Sequence, residues 1–281
     1  MDNGRACQLP PYPGPDGTGP VILQYLEDQG TLAACGSYYY GDQSCFSLGP
    51  ETAVWQSMSP MAKKHCPFPW GTQSHVSADH GWFVIGQEYC FNNVISSEIF
   101  ASINDDEDGW KENVIDNPTI LGYPKSTCTV QLDDSRVMVI GGYDGVQVLT
   151  NAWILNLKDM SWSQTSPMPT PKGYQGCVLT PNGDVLSAGG WDGEEYNPSA
   201  FLYSPNMDSW RQVDNLPSNI KDYMYPRLMQ WKDKLILLEY KSQRIWVKEN
   251  LSWELMETGL GAEFRGGYDT AVLVPEDKFK C

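Results

Sequence analysis

Two stretches of this chain can be laid on one another at an offset of 48 residues, and that offset limits its possible folds more than any other feature. Arg136-Val-Met-Val-Ile-Gly-Gly-Tyr-Asp-Gly145 aligns with Asp184-Val-Leu-Ser-Ala-Gly-Gly-Trp-Asp-Gly193, each a short apolar strand closed by a double glycine. Trp162 lies 20 residues after Gly142, and Trp210 lies 20 after Gly190. Two landmarks recurring at one period mark a repeat protein, in which a unit of this length cannot bury its apolar faces alone and must stack on copies of itself. Weaker copies extend the series. Leu32-Ala-Ala-Cys-Gly36 is followed by Trp55, Phe83-Val-Ile-Gly86 by Trp110, and Lys234-Leu-Ile-Leu-Leu238 by Trp253. The tryptophans at 55, 110, 162, 210 and 253 are spaced by 55, 52, 48 and 43 residues, as variable loops on a fixed framework would give.

Each unit reads as four strands, a to d. In the fourth, Gln175–Thr180 is strand a, Pro181-Asn182-Gly183 its hairpin turn, Val185–Gly190 strand b, Ala200–Tyr203 strand c, and Trp210 opens strand d. Asn206-Met-Asp-Ser209 and Lys158-Asp-Met-Ser161 supply matching c–d turns, and Pro167, Pro171 and Pro217 punctuate the passages between units. Adjacent glycines ending strand b allow close backbone approach, and a tryptophan on strand d supplies a large apolar body to pack between units.

These residues resemble the kelch-repeat family. The resemblance rests on Gly141-Gly142 with Trp162, on Gly189-Gly190 with Trp210, and on strand-c residues such as Tyr203; it is strong over 120–215 and weaker elsewhere. Leu32–Gly36, Cys45 and Gly81-Trp-Phe-Val-Ile-Gly86 resemble secreted invertebrate kelch-repeat proteins more closely. The resemblance implies an all-β, kelch-type β-propeller forming one domain over 1–281. Its blades are expected at about 20–60, 61–117, 118–168, 169–217, 218–260, and 261–281 with 1–19, a count that rests on the repeat spacing. The second and fifth units depart from the pattern, with Gly86-Gln87 and Glu239-Tyr240 where a double glycine belongs, so those blades are expected to be remodelled. Phe264–Val274 aligns with the fourth unit's strand a, and the segment before Val21 is expected to complete a sixth blade, removing exposed sheet edges. Five blades with a terminal flap is the alternative.

Eight cysteines stand at 7, 35, 45, 66, 90, 128, 177 and 281, without CxxC spacing and with only three histidines, which argues for disulfides rather than structural zinc. Cys35 ends one strand and Cys45 begins its hairpin partner, within disulfide reach. Cys66 with Cys90 and Cys7 with Cys281 are the other candidate pairs, the latter a clasp between the ends. Cys128 and Cys177, on strand a of adjacent units among apolar neighbours, are expected to be buried free thiols. Asn250-Leu251-Ser252 is a glycosylation sequon. Met1-Asp2-Asn3 opens no charged-then-apolar leader, and the cysteine placement favours a secreted chain whose leader has been removed.

The net charge of −16 disfavours nucleic acid and anionic membrane surfaces, and no apolar run is long enough to span a bilayer. The acidity is uneven: residues 1–62 hold one basic side chain, Arg5, whereas 221–248 hold seven. It reads as a solubilising surface or as a face for a basic partner or calcium. Asn104-Asp-Asp-Glu-Asp108 offers Asp105, Asp106 and Asp108 as calcium candidates, although a solvated c–d loop explains the run and no EF-hand spacing is present. Of His65, His75 and His80, the latter two sit on a strand and its turn and are expected to point to opposite faces. No catalytic motif or cofactor-binding fingerprint occurs. Copper-radical oxidases share a kelch-like ring, but histidines clustered in one blade do not suit ligands converging from several. Tyr143, Asp144, Trp191 and Asp192 occupy matching b–c loops, as anchors for a partner or as turn residues with packed aromatics. The expected function is a secreted, non-enzymatic binding or structural propeller that needs no cofactor and engages protein or glycan partners. The alternatives are an intracellular adaptor or cytoskeletal binder, and a propeller-scaffold oxidase or hydrolase.

Overall fold

Alternating apolar and polar residues between turn formers produce short antiparallel strands, and the repeat length groups them in fours. The computed structural model describes residues 9–13, 21–37, 42–52, 54–62, 73–77, 80–86, 98–103, 109–115, 126–220, 223–239, 244–249, 252–256 and 274. They form five four-stranded sheets, each an a-b-c-d meander. The first blade holds β1 (Ile22–Leu26), β2 (Thr31–Ser37), β3 (Asp42–Leu48) and β4 (Gln56–Met58). The second holds β5 (Gln73–Ser77), β6 (Gly81–Gly86), β7 (Glu98–Ile103) and β8 (Trp110–Ile115). The third holds β9 (Cys128–Asp133), β10 (Arg136–Ile140), β11 (Ala152–Asn156) and β12 (Ser161–Gln164). The fourth holds β13 (Gly176–Leu179), β14 (Val185–Ala188), β15 (Ala200–Ser204) and β16 (Ser209–Val213). The fifth holds β17 (Arg227–Trp231), β18 (Lys234–Leu238), β19 (Ile245–Glu249) and β20 (Ser252–Met256). This is an all-β propeller: the strands a (β1, β5, β9, β13, β17) touch in succession and line one central cavity of about 150 Å³.

The core lies between blades rather than within them. In β10, Val137 and Val139 face the second blade with Phe83 and Ile85, whereas Met138 and Ile140 face the fourth with Val185 and Tyr203. Strand alternation thus gives each sheet two apolar faces, and burial of each large side chain contributes about 1.5–3 kcal/mol. The strand-d tryptophan always looks backwards: Trp110, Trp162, Trp210 and Trp253 each pack in the cluster shared with the preceding blade. Alternation also sets the hub. The first residue of a strand a faces the next blade, as when Gln73 Oε1 accepts from Thr129 N–H (3.0 Å). The second faces the previous blade, as when Ser74 Oγ donates to Leu23 O (3.2 Å).

That rule corrects the expectation for two cysteines. Cys128, first in β9, faces forward and Cys177, second in β13, faces back; they are joined in a disulfide across the blade interface, Cα atoms 5.9 Å apart. Cys35 and Cys45, direct cross-strand partners in β2 and β3, are bonded with Cα atoms 4.1 Å apart. Cys7, Cys66, Cys90 and Cys281 lie outside the described residues.

A Cβ on Gly141 would stand 2.2 Å from the carbonyl oxygen of Lys172, and one on Gly190 2.5 Å from that of Gly173, so the double glycines let the next connection pass. The fifth blade solves the same position differently. Glu239 is buried, and its carboxylate accepts from Trp246 Nε1–H (2.6 Å) and pairs with Arg244 (2.8 Å).

Candidate binding face

Among the described residues, the b–c loops of the third and fourth blades and the d–a connections that lead into the fourth and fifth lie together at one end of the ring. Two of these loops are built alike. Asp144 Oδ1 accepts from the N–H groups of Val146 and Gln147 (both 2.8 Å), and Asp192 Oδ1 accepts from those of Glu194 and Glu195 (both 2.9 Å). Asn197 Nδ2 adds a bond to Asp192 Oδ2 (2.6 Å). These bonds, the Glu195 N–H foremost, hold the Asp192 carboxyl below the usual carboxylate range. Both aspartates therefore shape their loops, and the aromatic neighbours are what the loops present. Tyr143 and Trp191, half-buried, lie with ring centres 6.1 Å apart.

The aromatic run continues beyond the pair named from sequence. Trp191 and Tyr196 pair through their backbones across one loop, the Tyr196 ring lies 6.5 Å from that of Tyr174, and Tyr174 stands edge-on to Tyr225 at 5.1 Å. Tyr174 and Tyr225 each lie two residues before their strand a, and a third residue, Ser126, holds the same place in the third blade. All three have positive φ (59°, 53° and 56°), uncommon for side-chain-bearing residues. The reason is a backbone relay around the hub: Tyr174 N–H donates to Ser126 O and Tyr225 N–H to Tyr174 O (both 3.1 Å). The sequence signal for these tyrosines was their shared place before strand a, visible only once the strands are registered.

Beneath the Trp191 loop lies Lys172, wholly buried. Its ammonium donates to Gly189 O (2.8 Å) and Ser199 Oγ (2.7 Å) and sits 5.6 Å above the Phe201 ring. Burial pulls its pKa down to about 8, against the opposing pull of Asp192. It is an internal strut that ties the incoming connection to the loop.

At the hub, the cavity is lined by Gln73, Ser74, Thr129 and Arg227 together with the Cys128–Cys177 bond. His75 and His80 do not diverge as expected. His80 sits in the turn, where strand alternation does not apply, and both rings reach the third blade, His75 at Thr129 Oγ1 (2.7 Å) and His80 at Leu157 O (3.1 Å). Thr129 Oγ1 donates to Gln73 Oε1 (2.9 Å), so His75 Nε2–H donates to the hydroxyl. Burial, then the charge of Arg227, brings the His75 pKa down to about 4. Among the described residues no three of His, Cys, Asp and Glu gather as metal ligands. Asp105, Asp106, Asp108, His65 and Asn250 lie outside the described residues.

Comparison with known proteins agrees with this geometry. The family model described as Kelch motif matches residues 124–169 and 173–217, the third and fourth blades. Kelch domain-containing protein 10 of Rattus norvegicus and of Mus musculus are each 27% identical over 150 residues, covering 51% of this chain and 36% and 33% of theirs. The match thus spans about a third of these curated relatives. Among solved structures, one described as "Structure of YjhT" superposes with a TM-score of 0.61 at 12% identity, covering 84% of this chain and 83% of that one, a likeness of fold alone. The third and fourth blades match the Kelch motif, and the ring that carries them is an all-β propeller.

Proposed function

We propose that this chain is a secreted, non-enzymatic propeller that binds a protein or glycan partner through the b–c and d–a end of its ring. The observation that carries the reading is the cluster of aromatics Tyr143, Trp191, Tyr196, Tyr174 and Tyr225, spread over three blades and linked by ring contacts and one backbone bridge. Tyr143, Trp191, Tyr196 and Tyr174 are half-buried over buried Tyr225, and such aromatics held by a rigid scaffold bury large area on binding at little entropic cost. Beside them Val146 stands 87% exposed at a loop tip. Two disulfides among the described residues support an oxidising compartment.

The face is tested by placing a photo-crosslinking amino acid at Val146 and, separately, at Met207, an exposed c–d turn residue at the opposite end of the ring. In extracellular fluid of the source tissue, position 146 is expected to capture a product that position 207 does not, and Trp191→Ala is expected to abolish it. Capture from 207 alone would move the site to the other end. Intact mass before and after reduction tests the compartment: freely titratable thiols in the native chain would remove secretion from the proposal.

A further inference from the structure

The loop carrying Trp191 also carries the densest exposed charge of the described binding face. Asp192, Glu194 and Glu195 follow the tryptophan directly, and Glu194 and Glu195 are exposed. Their backbone N–H groups are used by Asp192 Oδ1, so the turn is held by main chain and both glutamate side chains are left to project. Among the described residues, two cations of this end are turned inward: Lys172 is wholly buried, and Arg244, beside the fifth blade's loop, pairs with buried Glu239. Carboxylates beside tryptophan and tyrosine faces, in a chain of net charge −16, suit one kind of ligand. The ring faces attract a cation by their quadrupole, the carboxylates complete its charge, and the overall field steers it in.

We infer that this face selects a lysine- and arginine-rich segment of a partner protein, docking cationic side chains on Trp191 and Tyr143 under Glu194 and Glu195. This rests on the binding face proposed above and narrows its partner to basic proteins. An acidic peptide would meet like charge, and a neutral glycan would gain nothing from the carboxylates beyond hydrogen bonds.

Titration calorimetry with three probes tests it: a Lys/Arg nonapeptide, a Glu nonapeptide and a neutral hexasaccharide. The variant Glu194→Lys/Glu195→Lys is compared with Asp134→Lys/Asp233→Lys, which changes net charge equally using exposed a–b turn residues at the opposite end of the ring. The basic peptide is expected to bind, to weaken about tenfold in the 194/195 variant and less than about threefold in the 134/233 variant. Raising salt from about 50 to about 300 mM is expected to weaken it further. Equal weakening by both variants would reduce the effect to general attraction by an acidic protein and overturn the inference. So would tighter binding of the acidic peptide or the saccharide. In that last case a loss with Trp191→Ala would leave the face standing while its cation preference fell.

Discussion

Glycine positions in this ring divide by what lies against them, and substitution separates the two kinds. Gly141 and Gly190 combine positive φ with backbone 2.2 and 2.5 Å from where a Cβ would stand, whereas Gly145 and Gly183 have positive φ and nothing within 4 Å. Gly141→Ala and Gly190→Ala are expected to cost about 3 kcal/mol or more, since main chain must move, and Gly145→Ala and Gly183→Ala about 1 kcal/mol from backbone conformation alone. Urea midpoints of the four variants check this, and equal costs would refute the close-approach explanation. The double glycine was readable from sequence as a repeated pair, but its substitute was not. Glu239 signals a missing glycine, and only the fold brings Trp246 and Arg244 to its carboxylate. A second prediction at this scale concerns His75. Its folded pKa of about 4 lies below the ordinary 6.5, so protons bind the unfolded chain better and stability falls as pH drops through that window, with no effect above it. Replacing it by Gln should remove this share of the acid sensitivity. The observable is the difference in urea midpoint between pH 7 and 4.5, expected to be smaller in His75→Gln than in the parent.

At the level of the strand, one residue of offset decides whether two hub side chains meet. Cys128 and Cys177 are 49 apart in a region whose repeat is 48, so they occupy successive rather than identical positions on neighbouring strands a. Successive positions face opposite ways, and across a blade interface opposite ways means toward each other. The pairing was therefore legible in the spacing, given the rule that first residues face forward. Reading the two as the same position hid it. The same rule makes Gln73 and Thr129 the equivalent pair one interface earlier, as their hydrogen bonds show. In a Cys128→Ser/Cys177→Ser background, Gln73→Cys/Thr129→Cys is expected to form the bond spontaneously under mild oxidation, read as a loss of two hydrogens in intact mass. If the thiols stay free in a folded ring, the facing rule is wrong for that interface. Losing the native bond, which closes a loop of 49 residues, should itself cost about 3–4 kcal/mol.

Closure of the whole ring follows from the first blade's backward face. Tyr25, Leu32 and Leu48 hold in β1 to β3 the registered places of Leu179, Val185 and Tyr203 in β13 to β15. Trp55, just before β4, continues the register opposite Leu48 as Trp210 stands opposite Tyr203. In the fourth blade these residues form the face turned to the preceding blade. The first blade's set packs on Leu9 and Val274, from the two ends of the chain. The polar contact repeats as well: Trp210 Nε1–H donates to Ser166 O (2.8 Å), just past strand d of the third blade, and Trp55 Nε1–H donates to Pro10 O (3.0 Å). Pro10 thus stands where a residue just past a strand d stands, and Tyr12 braces it edge-on against Phe46 and Trp55. That equivalence supports the expectation that both ends of the chain contribute to a sixth blade behind this face. The sequence pointed to the C-terminal part through its likeness to the fourth unit, but the N-terminal part carries no repeat landmark, because a proline-rich strap needs only a carbonyl in the right place. Removing residues 1–13 would strip the Trp55 face of its cover and lower Tm by roughly 5–10 °C, as expected for a loss of several kcal/mol in a chain of this size. Trp55→Phe, which forfeits one hydrogen bond and little area, should cost only about 1 kcal/mol. A shortened chain that melts with the parent would mean that the first blade's backward face is covered by something other than the N-terminal segment.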